Sequence, residues 1–250
     1  MTWHLSLDAM GQTITIESRF NGPEDSANGG YTCGLVARLI EGPAEVTLRQ
    51  PPPIERELSL ERDGDRVVLL DGDTLVAEGV PTDVDWDVPD SVSLAEAEAA
   101  VSESYFLKRP RPFVTCFVCG PDRPARDGLE LYPGPVPGRE LIAATWEPDE
   151  SLGGEPAVVA REIVWASLDC PTSGPVGNRP GPDGSLRPIV LARLAADIRA
   201  PVEIGQPHVV TAWPIEIDGR KRHAGSALFT ADGELLASAR ALWIELRQSD

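Results

Sequence analysis

The sequence predicts an α+β protein of two tandem units, their strands forming one continuous antiparallel sheet around two central helices. Three observations predict it: an internal repeat, a helical segment ahead of each copy, and Asp-Gly pairs between strand-like runs. Residues 45–80, "EVTLRQPPPIERELSLERDGDRVVLLDGDTLVAEGV", parallel residues 196–240, "ADIRAPVEIGQPHVVTAWPIEIDGRKRHAGSALFTADGELLASAR". Each copy holds a strand ending in Arg, a Pro-containing connection, a second strand, an Asp-Gly turn, and two more strands around another Asp-Gly. Asp-Gly between alternating apolar runs marks a hairpin, because the favoured turn asks for positive φ at its centre. Each copy therefore reads as an antiparallel meander.

The helices come next. Residues 28–40 place Leu35, Val36, Leu39 and Ile40 on one face, and residues 157–169 do the same with Val159, Ile163, Val164 and Leu168. Strand-like runs precede both, "QTITIES" (12–18) and "LIAATWEP" (141–148). A short Ala/Glu-rich helix, 93–103, links the halves and leads into the Pro-punctuated "YFLKRPRPFV". The boundary is placed there, giving an N-terminal unit of 1–110, linker helix included, and a C-terminal unit of 111–250. One meander cannot bury its helix on all sides, whereas two side by side bury both.

Composition narrows the function. The chain has 250 residues, 42% apolar and 25% charged, enough for a packed core. No run approaches the roughly 18 apolar residues of a membrane span, and the N-terminus lacks a secretory pattern, so a cytoplasmic location is expected. A net charge of −18 disfavours nucleic acid and anionic membranes as partners. Local basic stretches at 107–112, "LKRPRP", and 218–223, "DGRKRH", leave room for a small anionic ligand.

Cys116 and Cys119 form the pair in "CFVCG". A zinc site needs two more ligands, and only Cys33, Cys170, His4, His208 and His223 remain, none at paired spacing. The reading is reduced thiols beside a strand, with no metal and no cofactor.

"FNGPEDSANGGYTCGLVARL" (20–39) resembles the loop-to-helix entry of hotdog-fold acyl-CoA thioesterases, where His-Gly-Gly or a variant opens the central helix. "CFVCGPDRPARDGLELYPG" (116–134) and "GEPAVVAREIVWASLDCP" (154–171) resemble the start and central helix of the PaaI-like branch of that superfamily. With both halves in the same order, the resemblance, PaaI-like and TesB-like, implies a fused double hotdog. It also implies hydrolysis of an acyl-CoA or acyl-carrier thioester, with CoA entering only as part of the substrate.

The chemistry the resemblance implies has a physical basis. Thioester attack puts negative charge on a carbonyl oxygen, and amides at a helix N-terminus favour it. Gly29 and Gly30 would let that carbonyl approach the backbone. In this family a carboxylate nine residues after the motif histidine serves the neighbouring unit's oxyanion site. Carried over, the first half has Asn28 in place of the histidine and Ala37 in place of the acid. The second has Ala160, Arg161 and Glu162 in place of the motif, and the acid, Asp169, is present. The resemblance thus implies one composite site of Asn28, Gly29, Gly30 and Asp169 across the two halves, and one degenerate site.

Asn21 resembles an asparagine that orients water or carbonyl in some members, at one residue longer spacing. Arg220, Lys221 and Arg222 are candidates for the CoA phosphates, and Trp165 for acyl-pocket lining, although its position on the helix also suits the core. Two rivals remain: a hotdog dehydratase or hydratase, which needs a histidine base that both helices lack, and a non-catalytic acyl-CoA or lipid binder. A homodimer through sheet backs or edges is expected from the superfamily.

Overall fold

The computed structural model describes residues 11–108, 110–154, 157–177 and 188–246. The first unit contains β1 (Gln12–Thr15), α1 (Gly29–Ala37), β2 (Ala44–Leu48), β3 (Glu57–Asp63), β4 (Arg66–Asp71) and β5 (Thr74–Pro81). A connecting helix, α2 (Leu94–Val101), follows. The second unit contains the short β6 (Gly134–Pro135), β7 (Ile142–Trp146), a ribbon of β8 (Gly153–Gly154) and β9 (Val158–Val159), and α3 (Arg161–Gly177). Its meander is β10 (Ile189–Ile198), β11 (His208–Asp218), β12 (Lys221–Thr230) and β13 (Leu235–Glu245).

One sheet of eleven strands runs β1-β3-β4-β5-β2-β10-β13-β12-β11-β7-β6. Read outward from the centre, both halves show the same topology: β2 then the meander β5-β4-β3 then β1, and β10 then β13-β12-β11 then β7. The seam is the antiparallel pair β2–β10, with Val46 opposite Leu194 and Ala44 opposite Ala196. The repeat is therefore structural, and the predicted continuous antiparallel sheet is present.

The two central helices lie against the sheet and against each other. Their contact uses missing side chains. A Cβ on Gly30 would sit 2.4 Å from the Cβ of Asp169, and one on Gly34 would sit 2.4 Å from the Cα of Glu162. Gly30 and Gly34 are one turn apart, so α1 presents a bare stripe to α3 and the two backbones approach closely. Trp165 and Ala166 complete the α3 side, both with no exposed surface.

Several boundaries differ from the sequence reading. Three of the four Asp-Gly turns are shifted by one residue: at the first, Asp63 pairs with Arg66, so the loop is Gly64-Asp65, and Gly64 carries the positive φ of 63°. The glycine leads a two-residue loop, and its partner aspartate keeps negative φ, the arrangement of a turn with glycine at its first central position. Helix α3 runs to Gly177, past Pro171 and Pro175, rather than ending near 169. Hydroxyls bind the carbonyls of that stretch: Ser226 to Leu168, Thr172 to Asp169 and Ser173 to Cys170.

Helix α2, grouped by sequence with the N-terminal unit, packs instead on β7, β6 and β11 of the C-terminal unit. Ala97 and Ala100 join Val136, Leu141, Ala143, Val209 and Phe229 in a second, smaller apolar cluster. Its N-terminus is fixed by a capping box between Ser93 and Glu96.

Candidate functional site between the halves

Asn28 caps α1. Its backbone is extended, at φ −61° and ψ 132°, and its Oδ1 accepts the Tyr31 N–H at 2.9 Å. That cap turns Nδ2 outward from the helix end, where it donates to Asp169 Oδ2 at 3.0 Å. The Gly30 N–H, one of the amides a helix start leaves without an internal partner, donates to the same oxygen at 2.9 Å. Asn28, Gly30 and Asp169, separated by about 140 residues, thus meet across the two units.

The entry loop is held by the other half. Phe20 stacks on Tyr31 with ring centroids 4.1 Å apart, and Phe117 meets both edge-on. The Phe117 N–H donates to Asn21 O at 2.8 Å. The stretch from Phe113 to Leu131, which precedes the second unit's strands, is in this way fastened to the mouth of the first unit's helix.

Asp169 is 1% exposed. Burial pushes its carboxyl up to about 7, against the pull of the Gly30 amide; the Cys116 sulfur adds to the rise and the Asn28 amide opposes it. Oδ2 accepts both hydrogen bonds, while Oδ1 has no partner among the described residues. Asp169 also lines a cavity of about 480 Å³ with mostly apolar walls, among them Leu48, Phe113, Ile189, Leu191, Trp243 and Leu246. A buried carboxyl with one unpartnered oxygen therefore belongs to the wall of an apolar chamber, the arrangement expected of a small-molecule site.

Gly29 occupies the first position of α1 and lines the cavity. A Cβ there would be 2.8 Å from Leu191 Cδ2 and 3.1 Å from Leu48 Cδ1. At Gly30 the space is filled by Asp169 and the α3 backbone. The Gly30 glycine thus serves close helix packing and carboxylate binding, where the sequence reading had it admitting a substrate carbonyl. The structure brings Gly29, Gly30, Asn28 and Asp169 to one place.

The remaining candidates lie elsewhere. Asn21 is buried away from the cavity: its Nδ2 donates to Pro23 O, and its Oδ1 accepts from Arg123 at 2.6 Å. It ties the loop to Arg123 and does not face Asp169. Trp165 has no exposed surface and belongs to the core between α1 and α3. Arg220 donates to Glu245 O, and Arg222 bonds Val176 O and pairs with the Glu245 carboxylate. None of the three residues Arg220, Lys221 and Arg222 lines the cavity. At the second helix mouth the Arg161 guanidinium donates to Gly42 O at 3.1 Å.

The sequence reading missed residues that the cavity wall contains. Arg111, from the basic stretch at 107–112, lies on it and donates to Cys119 Sγ at 3.4 Å and to Phe106 O. Cys116, Cys119 and Cys170 lie there too, their sulfurs all within 4.8 Å of one another. Hydrogen bonds from Cys119 and Cys170, and from the backbone N–H groups of Cys119 and Val118, hold the Cys116 thiol well below its usual value. The same hydrogen bonds to Cys116 push Cys119 and Cys170 up. The adjacency of Cys170 to Asp169 in "LDCP" was the signal available.

Two tandem units with one continuous sheet, two packed central helices and a site at one helix mouth define a fused double-hotdog protein. Solved structures share this fold across nearly the whole chain. A putative thioesterase from Novosphingobium aromaticivorans superposes with a TM-score of 0.63 at 14% identity, covering 97% of both chains. An acyl-CoA thioesterase II, TesB2, from Mycobacterium marinum gives 0.59 at 12% identity, covering 99% of this chain and 96% of that one. A protein of unknown function with a hot dog fold from Alicyclobacillus acidocaldarius gives 0.52 at 11%, covering 98% and 97%. No protein-family model matches the sequence, and no curated protein matches it. Among the described residues, no helix is long and apolar enough to cross a membrane.

Proposed function

We propose that this protein hydrolyses an acyl thioester, acyl-CoA or an acyl-carrier conjugate, at the single composite site between its halves. The observation that carries the reading is Asp169 of α3 bound by the Gly30 amide of α1 at 2.9 Å, with its second oxygen unpartnered among the described residues and the residue lining an apolar cavity. In this mechanism Gly30 and Asn28 fix Oδ2. Oδ1 then takes a proton from a water that adds to the thioester carbonyl. The C–O bond forms, the charge collects on the former carbonyl oxygen, and the Gly29 amide at the first position of α1 receives it. Collapse breaks the C–S bond, and the proton held by Asp169 passes to the departing thiolate. A carboxyl near neutrality suits both transfers. The apolar walls accommodate the acyl group, and the solved thioesterases of the same fold add support.

The Gly30 amide is already engaged by Asp169, which favours one other reading, a non-catalytic acyl-thioester binder. The same experiment separates the two. Purified protein is incubated with acyl-CoAs of several chain lengths and with an acyl-carrier conjugate, and free thiol is followed. Release that Asp169→Asn abolishes supports hydrolysis. Saturable binding with no release from any substrate overturns it in favour of the binder.

A further inference from the structure

The cysteine cluster is independent of this hydrolytic role. From sequence, Cys116 and Cys119 lacked companions at ligand spacing; the fold supplies one, because α3 delivers Cys170 to the pair. Cys116 Sγ and Cys170 Sγ are 3.6 Å apart, and all three sulfurs lie within 4.8 Å. A tetrahedral zinc bound at about 2.3 Å from each sulfur sets sulfur–sulfur edges of roughly 3.8 Å. The cluster needs only small adjustments to meet that geometry. His4, one of the other candidate ligands, lies outside the described residues, and His208 and His223 are absent from the cavity wall.

The surroundings are those of a thiolate-rich cation site. "CFVCG" forms a tight turn closed by Gly120 N–H to Cys116 O at 2.8 Å. A Cβ at Gly120 would come within 2.5 Å of Cys116 N, so the turn requires glycine. Asn28 Nδ2 approaches Cys170 Sγ at 3.7 Å, and Arg111 donates to Cys119 Sγ at 3.4 Å. Such N–H donors orient metal-bound thiolates and disperse their charge. Three thiolates and a divalent cation leave one negative charge, which the Arg111 guanidinium beside Cys119 balances.

We propose that Cys116, Cys119 and Cys170 bind one thiophilic divalent cation, zinc foremost, which clips the Phe113–Gly120 segment to α3 beside Asp169. Sulfur donors select zinc over magnesium or calcium. The fourth position opens on the cavity, since all three cysteines line it, and is completed by solvent or a ligand donor. The four-cysteine count therefore divides three to one: Cys33, buried in α1, stays outside the cluster.

The test uses the reduced full-length chain, stripped with a chelator, reloaded with Zn(II), desalted and assayed for metal by mass spectrometry. One zinc per chain is expected, with a raised unfolding temperature, and Co(II) should give thiolate-to-metal charge transfer and the intense visible bands of a tetrahedral site. Cys116→Ser, Cys119→Ser and Cys170→Ser should each weaken binding by about 100-fold or more, whereas Cys33→Ala and Asp169→Asn should keep the metal. Should a serine variant fail to fold, X-ray absorption on the zinc-loaded wild type decides, with three sulfurs at about 2.3 Å expected. No retained zinc in the reduced wild type, an octahedral oxygen-ligated Co(II) spectrum, or equal binding by folded serine variants overturns the proposal. The readout is metal content, so its failure is distinct from failure of the hydrolytic reading.

Discussion

Asp169 of α3 accepts the Gly30 amide of α1 at 2.9 Å, a bond between two residues contributed by different halves of a repeat. It joins a buried carboxyl to the positive end of a helix, and it places the two helices so close that no side chain fits between them at that point.

Asp169→Asn should separate activity from stability. Its amide oxygen can occupy the place of Oδ2 and keep both hydrogen bonds. Thiol release from acyl-CoA should fall by about 10²–10⁴-fold with loss of the base. A carboxyl whose folded value is raised, here to about 7 from 3.8, contributes fully below the lower value and loses that contribution as pH rises through the higher one. Wild-type chelator-treated protein should therefore lose stability between about pH 4 and 7, by up to roughly 4 kcal/mol. The variant should lack that loss and exceed the wild type at pH 8. Urea midpoints measured across pH check the sign.

Asn28→Asp tests the other hydrogen bond. Aspartate is as good a cap as asparagine, so helix α1 should still start at the same place. It would, however, set a carboxylate where an N–H now meets Asp169 at 3.0 Å. The variant should be markedly destabilised at pH 8 and recover on acidification as the pair takes up a proton. Asn28→Ala should cost about 1–2 kcal/mol with far less pH dependence.

Gly30→Ala should fail by crowding. Its Cβ would lie 2.4 Å from Asp169 Cβ and 2.9 Å from Trp165 O, and backbone cannot move aside cheaply. A loss of about 2–3 kcal/mol is expected, together with loss of hydrolysis because Asp169 is displaced. Thermal unfolding and thiol release on the same sample check both.

His208 should add a pH dependence of opposite sign to that of Asp169. It is 2% exposed, its Nδ1 has no hydrogen-bond partner among the described residues, and burial lowers it from 6.5. A depressed histidine contributes stability above its unfolded value and loses it as pH falls through the folded one. Unfolding midpoints should drop as pH falls from 6.5, and His208→Leu should flatten that slope.

The basic tip should behave as structure. Arg222 pairs with Glu245, and both are largely buried. Arg222→Leu is expected to cost about 3 kcal/mol by removing a guanidinium paired with that buried carboxylate. Lys221→Ala, on an exposed residue, should change stability by less than about 0.5 kcal/mol. A rise in KM for acyl-CoA with Lys221→Ala alone would restore a phosphate-binding role to this hairpin.

The sequence by itself determined the repeat, the antiparallel sheet and the complementary halves, because strand alternation, hairpin glycines and helix faces are local patterns. It also contained the pairing of Gly30 with Asp169, but only through a resemblance that carried a nine-residue offset from one half to the other. Side-chain direction was beyond it. Asn21 and Trp165 sit within a few residues of the site in sequence yet turn away, one to Arg123 and one into the helix seam. Tertiary structure alone decided that Gly34 is a packing glycine, that α2 covers the C-terminal unit, and that Cys170 joins Cys116 and Cys119. Each of those depends on a distance between segments remote in the chain. Such distances are set by how closely two backbones pack, which no local periodicity records.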